Sequence, residues 1–250
     1  MCGIVGGVTE RNIVPILLEG LHRLEYRGYD SAGVAYRAEE NVSLVKSLGR
    51  VHDLEKKLDK KATSNIGIAH TRWATHGIPS EKNAHPHASN KNIYVAHNGI
   101  IENHEDLKSE LKSEGFKLYS QTDSEVIAHL IEFYKQRGLD FDSSVMKAIS
   151  RLKGAYALAV MDRNDPETLI GVRQSSPLVV GKGFAENFLA SDIMALSPVT
   201  NKFKFLDDGQ VVFLSKNKVS ICSKDGRAAK VPTKEVDSTA YTNDLNGYSH

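Results

Sequence analysis

The chain has 250 residues, 40% of them hydrophobic, and its 32 basic and 31 acidic side chains leave a net charge of +1. This near-neutral balance lacks the basic footprint of a nucleic-acid binder. The longest apolar runs, such as "AYALAVM", fall far short of the about 20 residues of a membrane span. The first twenty residues contain Glu10, Arg11 and Glu19, which is unlike a signal peptide. With only Cys2 and Cys222 and no CxxC pair, neither a disulfide framework nor a thiolate metal knot is expected, and the expected location is the cytoplasm.

In chain order, "CGIVGGV" predicts a short buried strand. Asn12 then caps a helix with Ile13, Ile16, Leu17, Leu21 and Leu24 on its apolar face and Pro15 in its first turn. "SAGVAYR", "VSLVKSL", "IGIAHTR" and "IYVAH" read as four strands. Asn103 predicts the cap of a helix through Leu107 and Leu111 that stops at Gly115. Thr122 and Glu125 have capping-box spacing before Val126, Ile127, Leu130, Ile131 and Tyr134. "AYALAVMD", "TLIGVR", "PLVVG", "NFLAS", "QVVFLS" and "KVSICS" follow as strands. Many strands among few helices predict an α+β fold. The apolar pattern fades beyond residue 224, so residues 2–224 are expected as one domain and 225–250 as a tail or linker.

Several segments carry side chains suited to chemistry. Trimming of Met1 would give Cys2 a free α-amine, whose ordinary pKa of roughly 7.7–8.0 suits a general base near neutral pH. One residue would then supply nucleophile and base, although position alone favours a small apolar residue in a buried strand. "AHTRWATHGIPS" places Arg72, Trp73, Thr75 and His76 after a strand and beside turn residues, as a binding loop would; an arginine fork suits a carboxylate. In "AHNGII", Asn98-Gly99 has the sequence of a two-residue hairpin turn, and spacing alone favours that reading. The same pair could direct a side-chain amide and a backbone N–H at an oxyanion. Asp123 is explained by a helix dipole, or by a bound ammonium group. Arg27 and Gly28 in "LEYRGYDSAG" fit a helix C-terminus. His70, His76, His85, His87 and His97 crowd one third of the chain, but without HExxH or paired CxxC no metal site is expected. "GKG" at 181–183 lacks the phosphate-loop pattern.

Taken together, Cys2-Gly-Ile-Val-Gly, "LEYRGYDSAG", "HTRWATHG", "NAHPH", "HNGIIEN" and "TDSEVIAHL" in this order resemble the class II glutamine amidotransferases, most closely the glutaminase domain of their aminosugar-forming branch. Sister families, the amidophosphoribosyltransferases, asparagine synthetases and glutamate synthases, also begin with a catalytic cysteine. The resemblance runs from Cys2 to about Leu214, and more loosely beyond. It implies the N-terminal-nucleophile hydrolase fold, a four-layer αββα sandwich of two antiparallel sheets. It further implies that Cys2 attacks the side-chain amide of L-glutamine, that Asn98 and Gly99 form the oxyanion hole, and that Arg72 and Thr75 hold the α-carboxylate. Asp123 would hold the α-ammonium, Trp73 and His76 would belong to a loop closing over the substrate, and Arg27 would support the nucleophile. No cofactor is implied. In that branch the domain is followed by sugar-phosphate isomerase domains that convert fructose 6-phosphate to glucosamine 6-phosphate within a homo-oligomer, so this chain is expected to be the ammonia-supplying half. If Met1 is retained, the alternative is a glutamine-binding module without catalysis.

Overall fold

A computed structural model describes residues 2–73 and 77–237. Every pairing within its two sheets is antiparallel. Its strands are β1 (Gly3–Thr9), β2 (Ser31–Ala38), β3 (Asn41–Leu48), β4 (Ile66–Arg72), β5 (His87–Ser89), β6 (Ile93–Ile101), β7 (Gly154–Asp162), β8 (Leu169–Gln174), β9 (Val179–Lys182), β10 (Glu186–Ala190), β11 (Lys202–Phe205), β12 (Gln210–Leu214), β13 (Val219–Ser223) and β14 (Lys234–Glu235). The helices are α1 (Val14–Leu24), α2 (Val51–Glu55), α3 (His104–Ser113), α4 (Glu125–Gln136) and α5 (Phe141–Ile149). One sheet has eight strands in the order β14-β11-β9-β10-β1-β4-β2-β3, and the other six in the order β13-β12-β8-β7-β6-β5.

Strand alternation explains the layers, because neighbouring side chains leave opposite faces of a sheet. Ile4 and Val8 of β1 and Ile66 and Ile68 of β4 meet Tyr94 and Ala96 of β6 and Ala157 and Ala159 of β7 in the core between the sheets. Val5, Val34 and Ala69 point the other way, onto Leu17, Leu21 and Leu24 of α1 and Leu54 of α2. Ile93 and Val95 likewise back onto α3, α4 and α5. The result is the expected α+β sandwich of helix, sheet, sheet and helix layers.

Several local expectations are corrected. Thr122 and Glu125 form no capping box. Ser124 is the N-cap of α4, Thr122 Oγ1 bonds His87 Nε2 at 3.0 Å, and the Glu125 carboxylate accepts the Tyr119 and Ser120 N–H groups. Glu125 therefore ties down the segment preceding the helix, and its charge is stabilised by those donors and His129, which hold its pKa down at about 2. Asn103 starts α3 by position only. Its side chain donates to Arg151 O and accepts from Lys153 N, joining the loops at the end of the six-stranded sheet. Asn12 is not the cap of α1, whose N-cap is Ile13; its Oδ1 accepts from Val14 N at 3.1 Å and from Ser64 N, so it links two segments.

Asn98-Gly99 is not a hairpin turn. Both residues lie inside β6, opposite Ala157 and Tyr156 of β7. Elements with weak periodicity, namely α2, α5, β5, β11 and β14, were not foreseen. For α5 a local signal existed: Asp140 caps it by accepting Ser143 N at 2.7 Å.

The chain does not leave the fold at residue 224. Ala228 bridges Cys222, Val231 is buried in the core between the sheets, and Lys234–Glu235 pair with β11. The rest of the expected tail, residues 238–250, lies outside the described residues. Removing residues 225–250 is expected to lower stability by about 2 kcal/mol, the order of burying one valine-sized side chain. Urea unfolding of the two lengths checks this, and an unchanged midpoint would contradict the assignment.

Candidate active site

The two sheets expose their ends at one edge of the sandwich, where a pocket of about 370 Å³ opens. Cys2, Arg27, Arg72, Trp73, Asn98, Gly99 and Asp123, drawn from separate stretches of the chain, all line it. Thr75 and His76, the other two residues expected there, lie outside the described residues. Sequence reasoning missed Ile100, Ser124, Ser176 and Pro177 in the wall, and gave His85, His97 and Thr122 no part in it. It also gave no individual role to Asp30, although Asp30 belongs to the "LEYRGYDSAG" stretch.

Cys2 directly precedes β1. Because β1 is paired on both sides, with β10 and β4, and all seven of its residues are buried, the chain terminus is held in place. The Trp73 N–H donates to Cys2 Sγ at 3.2 Å, which fixes the sulfur beside the end of β4. Burial pushes the Cys2 thiol pKa up, and the Trp73 hydrogen bond and the Arg72 charge offset this in part. The thiol thus stays protonated at neutral pH and needs a base to act as a nucleophile.

Asn98 faces Cys2 across the gap between the sheets, with its Nδ2 donating to Cys2 O at 3.1 Å. An amide nitrogen carries two N–H groups, so a second remains for a ligand in the pocket. Gly99 follows with φ +123°, and a Cβ there would sit 2.0 Å from Ala155 O, so only glycine fits. Two residues to either side, His97 N–H donates to His85 Nδ1 and Ile101 N–H donates to Asp123 Oδ2 at 2.7 Å. Alternation along β6 sends the Gly99 N–H to that same edge, between the two. Asn98 and Gly99 therefore present a side-chain amide and a backbone N–H together, which a turn would not do.

Asp123 does not lie in the first turn of α4; it precedes the Ser124 N-cap. It is buried, and besides Ile101 N–H it accepts from Ser124 Oγ at 3.3 Å. Arg72, also buried, donates to Gly77 O at 3.2 Å and lies 3.6 Å from Asp30. A cation and an anion thus flank the pocket, an arrangement complementary to an amino-acid zwitterion. Arg27 does not cap α1. The helix ends at Leu24, a 3₁₀ turn carries Glu25–Arg27, and the guanidinium pairs with Asp192 at the head of the pocket. The half-exposed Trp73 ring lies over Gly28.

His70, His85, His87 and His97 gather at the base of this pocket, with His85 and His97 in its lining. His70 and His85 stack with centroids 4.2 Å apart, and His87 meets His85 edge-on at 4.6 Å. Among the described residues, no group of three or more His, Cys, Asp or Glu side chains is arranged to hold a metal ion. Burial and mutual repulsion keep these rings neutral. The His70 pKa falls from 6.5 to about 3, and His85 and His87 lie well below their ordinary value.

A family model described as a glutamine amidotransferase domain matches residues 70–198. The chain belongs to this family. It is 50% identical over 252 aligned residues to the glutamine–fructose-6-phosphate aminotransferase (isomerizing) of Yersinia pseudotuberculosis serotype I (strain IP32953), covering 100% of this chain and 41% of that protein. To the enzyme of the same name from Escherichia coli (strain K12) it is 49% identical, covering 95% of this chain and 39% of the relative. The chain thus spans about two fifths of these relatives' length. Among solved structures, glutamine phosphoribosylpyrophosphate amidotransferase from B. subtilis superimposes with a TM-score of 0.77 at 25% identity, covering 89% of this chain and 49% of that one. A glutamine aminotransferase class-II domain protein from Silicibacter pomeroyi shares the fold, with a TM-score of 0.60 at 17% identity, covering 89% of this chain and 99% of the other. This amidotransferase domain therefore has the two-sheet sandwich of the N-terminal-nucleophile type.

The neutral histidines make stability depend on pH. The unfolded chain protonates them near pH 6.5 while the folded chain does not, so stability is complete above that value and falls as pH drops from 6.5 toward about 3. Each such ring steepens the loss by up to about 1.4 kcal/mol per pH unit. Urea titrations between about pH 7 and about pH 5 should show the decline, and His85→Phe should flatten it. An equal slope in the variant would refute the assignment.

Proposed function

We propose that this domain hydrolyses the side-chain amide of L-glutamine to glutamate and ammonia, with Cys2 as nucleophile once Met1 is removed. The observation that carries this reading is the meeting of the Cys2 sulfur, the Asn98 and Gly99 donors and the opposed Arg72 and Asp123 charges in one pocket. Arg72 would bind the α-carboxylate and Asp123 the α-ammonium, leaving the side-chain amide to reach Cys2. Thr75 would add a contact to the carboxylate, while Trp73 and His76 would cover the substrate.

The α-amine of the processed Cys2 takes the thiol proton as the sulfur attacks the amide carbon. Negative charge develops on the amide oxygen, where the free N–H of Asn98 and the N–H of Gly99 stabilise it. The ammonium then returns its proton to the leaving nitrogen, the C–N bond breaks, and ammonia departs from a glutamyl thioester. Water, deprotonated by the same amine, attacks the thioester carbon; the C–S bond breaks, the sulfur takes back the ammonium's proton, and glutamate is released. In a longer protein like the relatives, we infer that the ammonia passes to sugar-phosphate isomerase domains that form glucosamine 6-phosphate from fructose 6-phosphate.

Intact mass and ammonia release measured on one sample test this reading. A mass lacking Met1 should coincide with activity, and Cys2→Ala should abolish activity without changing the fold. Activity surviving in Cys2→Ala, or in a chain retaining Met1, would overturn the mechanism. A processed, inactive chain that still binds glutamine would indicate a binding module. Calorimetry with glutamate should show Asp123→Asn weakening binding by about 10²-fold, a loss of the order of one charged hydrogen-bonded contact. Unchanged affinity would remove Asp123 from the ammonium site.

A further inference from the structure

Asn98 must present its amide nitrogen, not its oxygen, to the reacting centre. Nothing in the residue itself enforces this, since the two ends of a carboxamide are alike in shape. The surroundings do enforce it. Asn98 Nδ2 faces the carbonyl of Cys2, and Oδ1 faces His70 Nε2 at 2.9 Å. The same His70 nitrogen lies 3.0 Å from His97 O. Both neighbours of Nε2 are acceptors, so His70 must carry its proton there. A flipped Asn98 would set N–H against N–H and oxygen against oxygen.

His70 is itself fixed from behind. Residue 85 would stand opposite residue 97 if the β5 register of His87 with Val95 continued, but the strand ends first. Instead the His85 side chain supplies the bond, with Nδ1 accepting His97 N–H at 3.2 Å, while its ring stacks on His70. Both backbone polar groups of His97, the residue before Asn98, are thus held by imidazoles. This arrangement needs the backbone at His85 to run directly over β2. At Gly33 a Cβ would come within 2.1 Å of His85 O, so the approach requires glycine.

We propose that His70 is a positioning residue: by donating from Nε2 to Asn98 Oδ1, it holds the Asn98 amide N–H groups toward Cys2 and the pocket. The proposal rests on the oxyanion reading of Asn98 given above. His70 itself is buried and not among the residues lining the pocket. It reaches the pocket through Asn98.

The test compares His70→Phe, which keeps the stacked ring and loses the donor, with His70→Gln, which keeps an amide donor near the Nε2 position. His70→Phe should lower kcat for glutamine hydrolysis by about 10²-fold, as expected for a misdirected oxyanion donor, with KM changed by less than about 3-fold. His70→Gln should recover at least about a tenth of the wild-type kcat. The double variant His70→Phe/Asn98→Ala should be no slower than Asn98→Ala, because both changes remove the same interaction. Multiplicative losses, a normal kcat in His70→Phe, or a folded His70→Gln as slow as His70→Phe would each overturn the proposal. Should His70→Phe fail to fold, His70→Met replaces it.

A readout independent of turnover is the ¹⁵N spectrum of the His70 ring. The Nε2–H tautomer should persist between about pH 8 and about pH 5, where an ordinary imidazole titrates. An Nδ1–H tautomer would refute the positioning role even if glutamine is hydrolysed. A wild-type chain that lacks Met1 but hydrolyses no glutamine would defeat the proposed function, leaving the tautomer to decide the orientation of Asn98.

Discussion

The rest of the pocket depends on one constraint, the double pairing of β1, which holds Cys2 in place. Gly3–Thr9 runs between β4 and β10 with every residue buried, so Cys2, one position earlier, inherits the rigidity of an eight-stranded sheet. Ends of chains ordinarily fray. Placing the first strand at a sheet edge, where a single neighbour would hold it, would give up that advantage. The Trp73 N–H bond to the sulfur then completes what the ladder begins.

The periodic parts of the fold were legible because periodicity reports burial directly. α1 and α4, and every strand with a continuous apolar run, read correctly for that reason. The errors came where a local motif has a tertiary use. Thr122-x-x-Glu125 has the spacing of a cap, but Glu125 serves the backbone of residues 119 and 120, and Thr122 serves His87. Asn98-Gly99 reads as a turn because both residues favour left-handed backbone. Inside β6 the glycine is needed instead for its φ of +123° beside the Ala155 carbonyl. The short strands β5, β11 and β14 carry too few residues for any period to show. Of the pocket lining, Cys2, Arg27, Arg72, Trp73, Asn98, Gly99 and Asp123 stand in motifs, but Asp30 and Asp192, which fix Arg72 and Arg27, depend on contacts that no local pattern encodes.

The histidine cluster illustrates how one residue type can serve opposite ends. Imidazoles in such density suggest metal or proton chemistry, yet burial and mutual repulsion keep His70, His85 and His87 neutral. Their cost is acid sensitivity. In return, His70 and His85 satisfy backbone groups of His97 that the truncated β5 leaves exposed.

The site draws Cys2 and Arg72 from one sheet and Asn98 from the other, with the Asn98 bond to Cys2 O crossing the gap between them. The distance between Cys2 and the Asn98 amide is therefore set by the side chains sandwiched further in, among them Ile4, Ile68, Tyr94 and Ala157. That interior behaves as a calibrated spacer. Sulfur and amide are therefore held apart by side chains that touch neither of them. The packing of the core thus sets the geometry of the pocket's mouth as well as the stability of the fold.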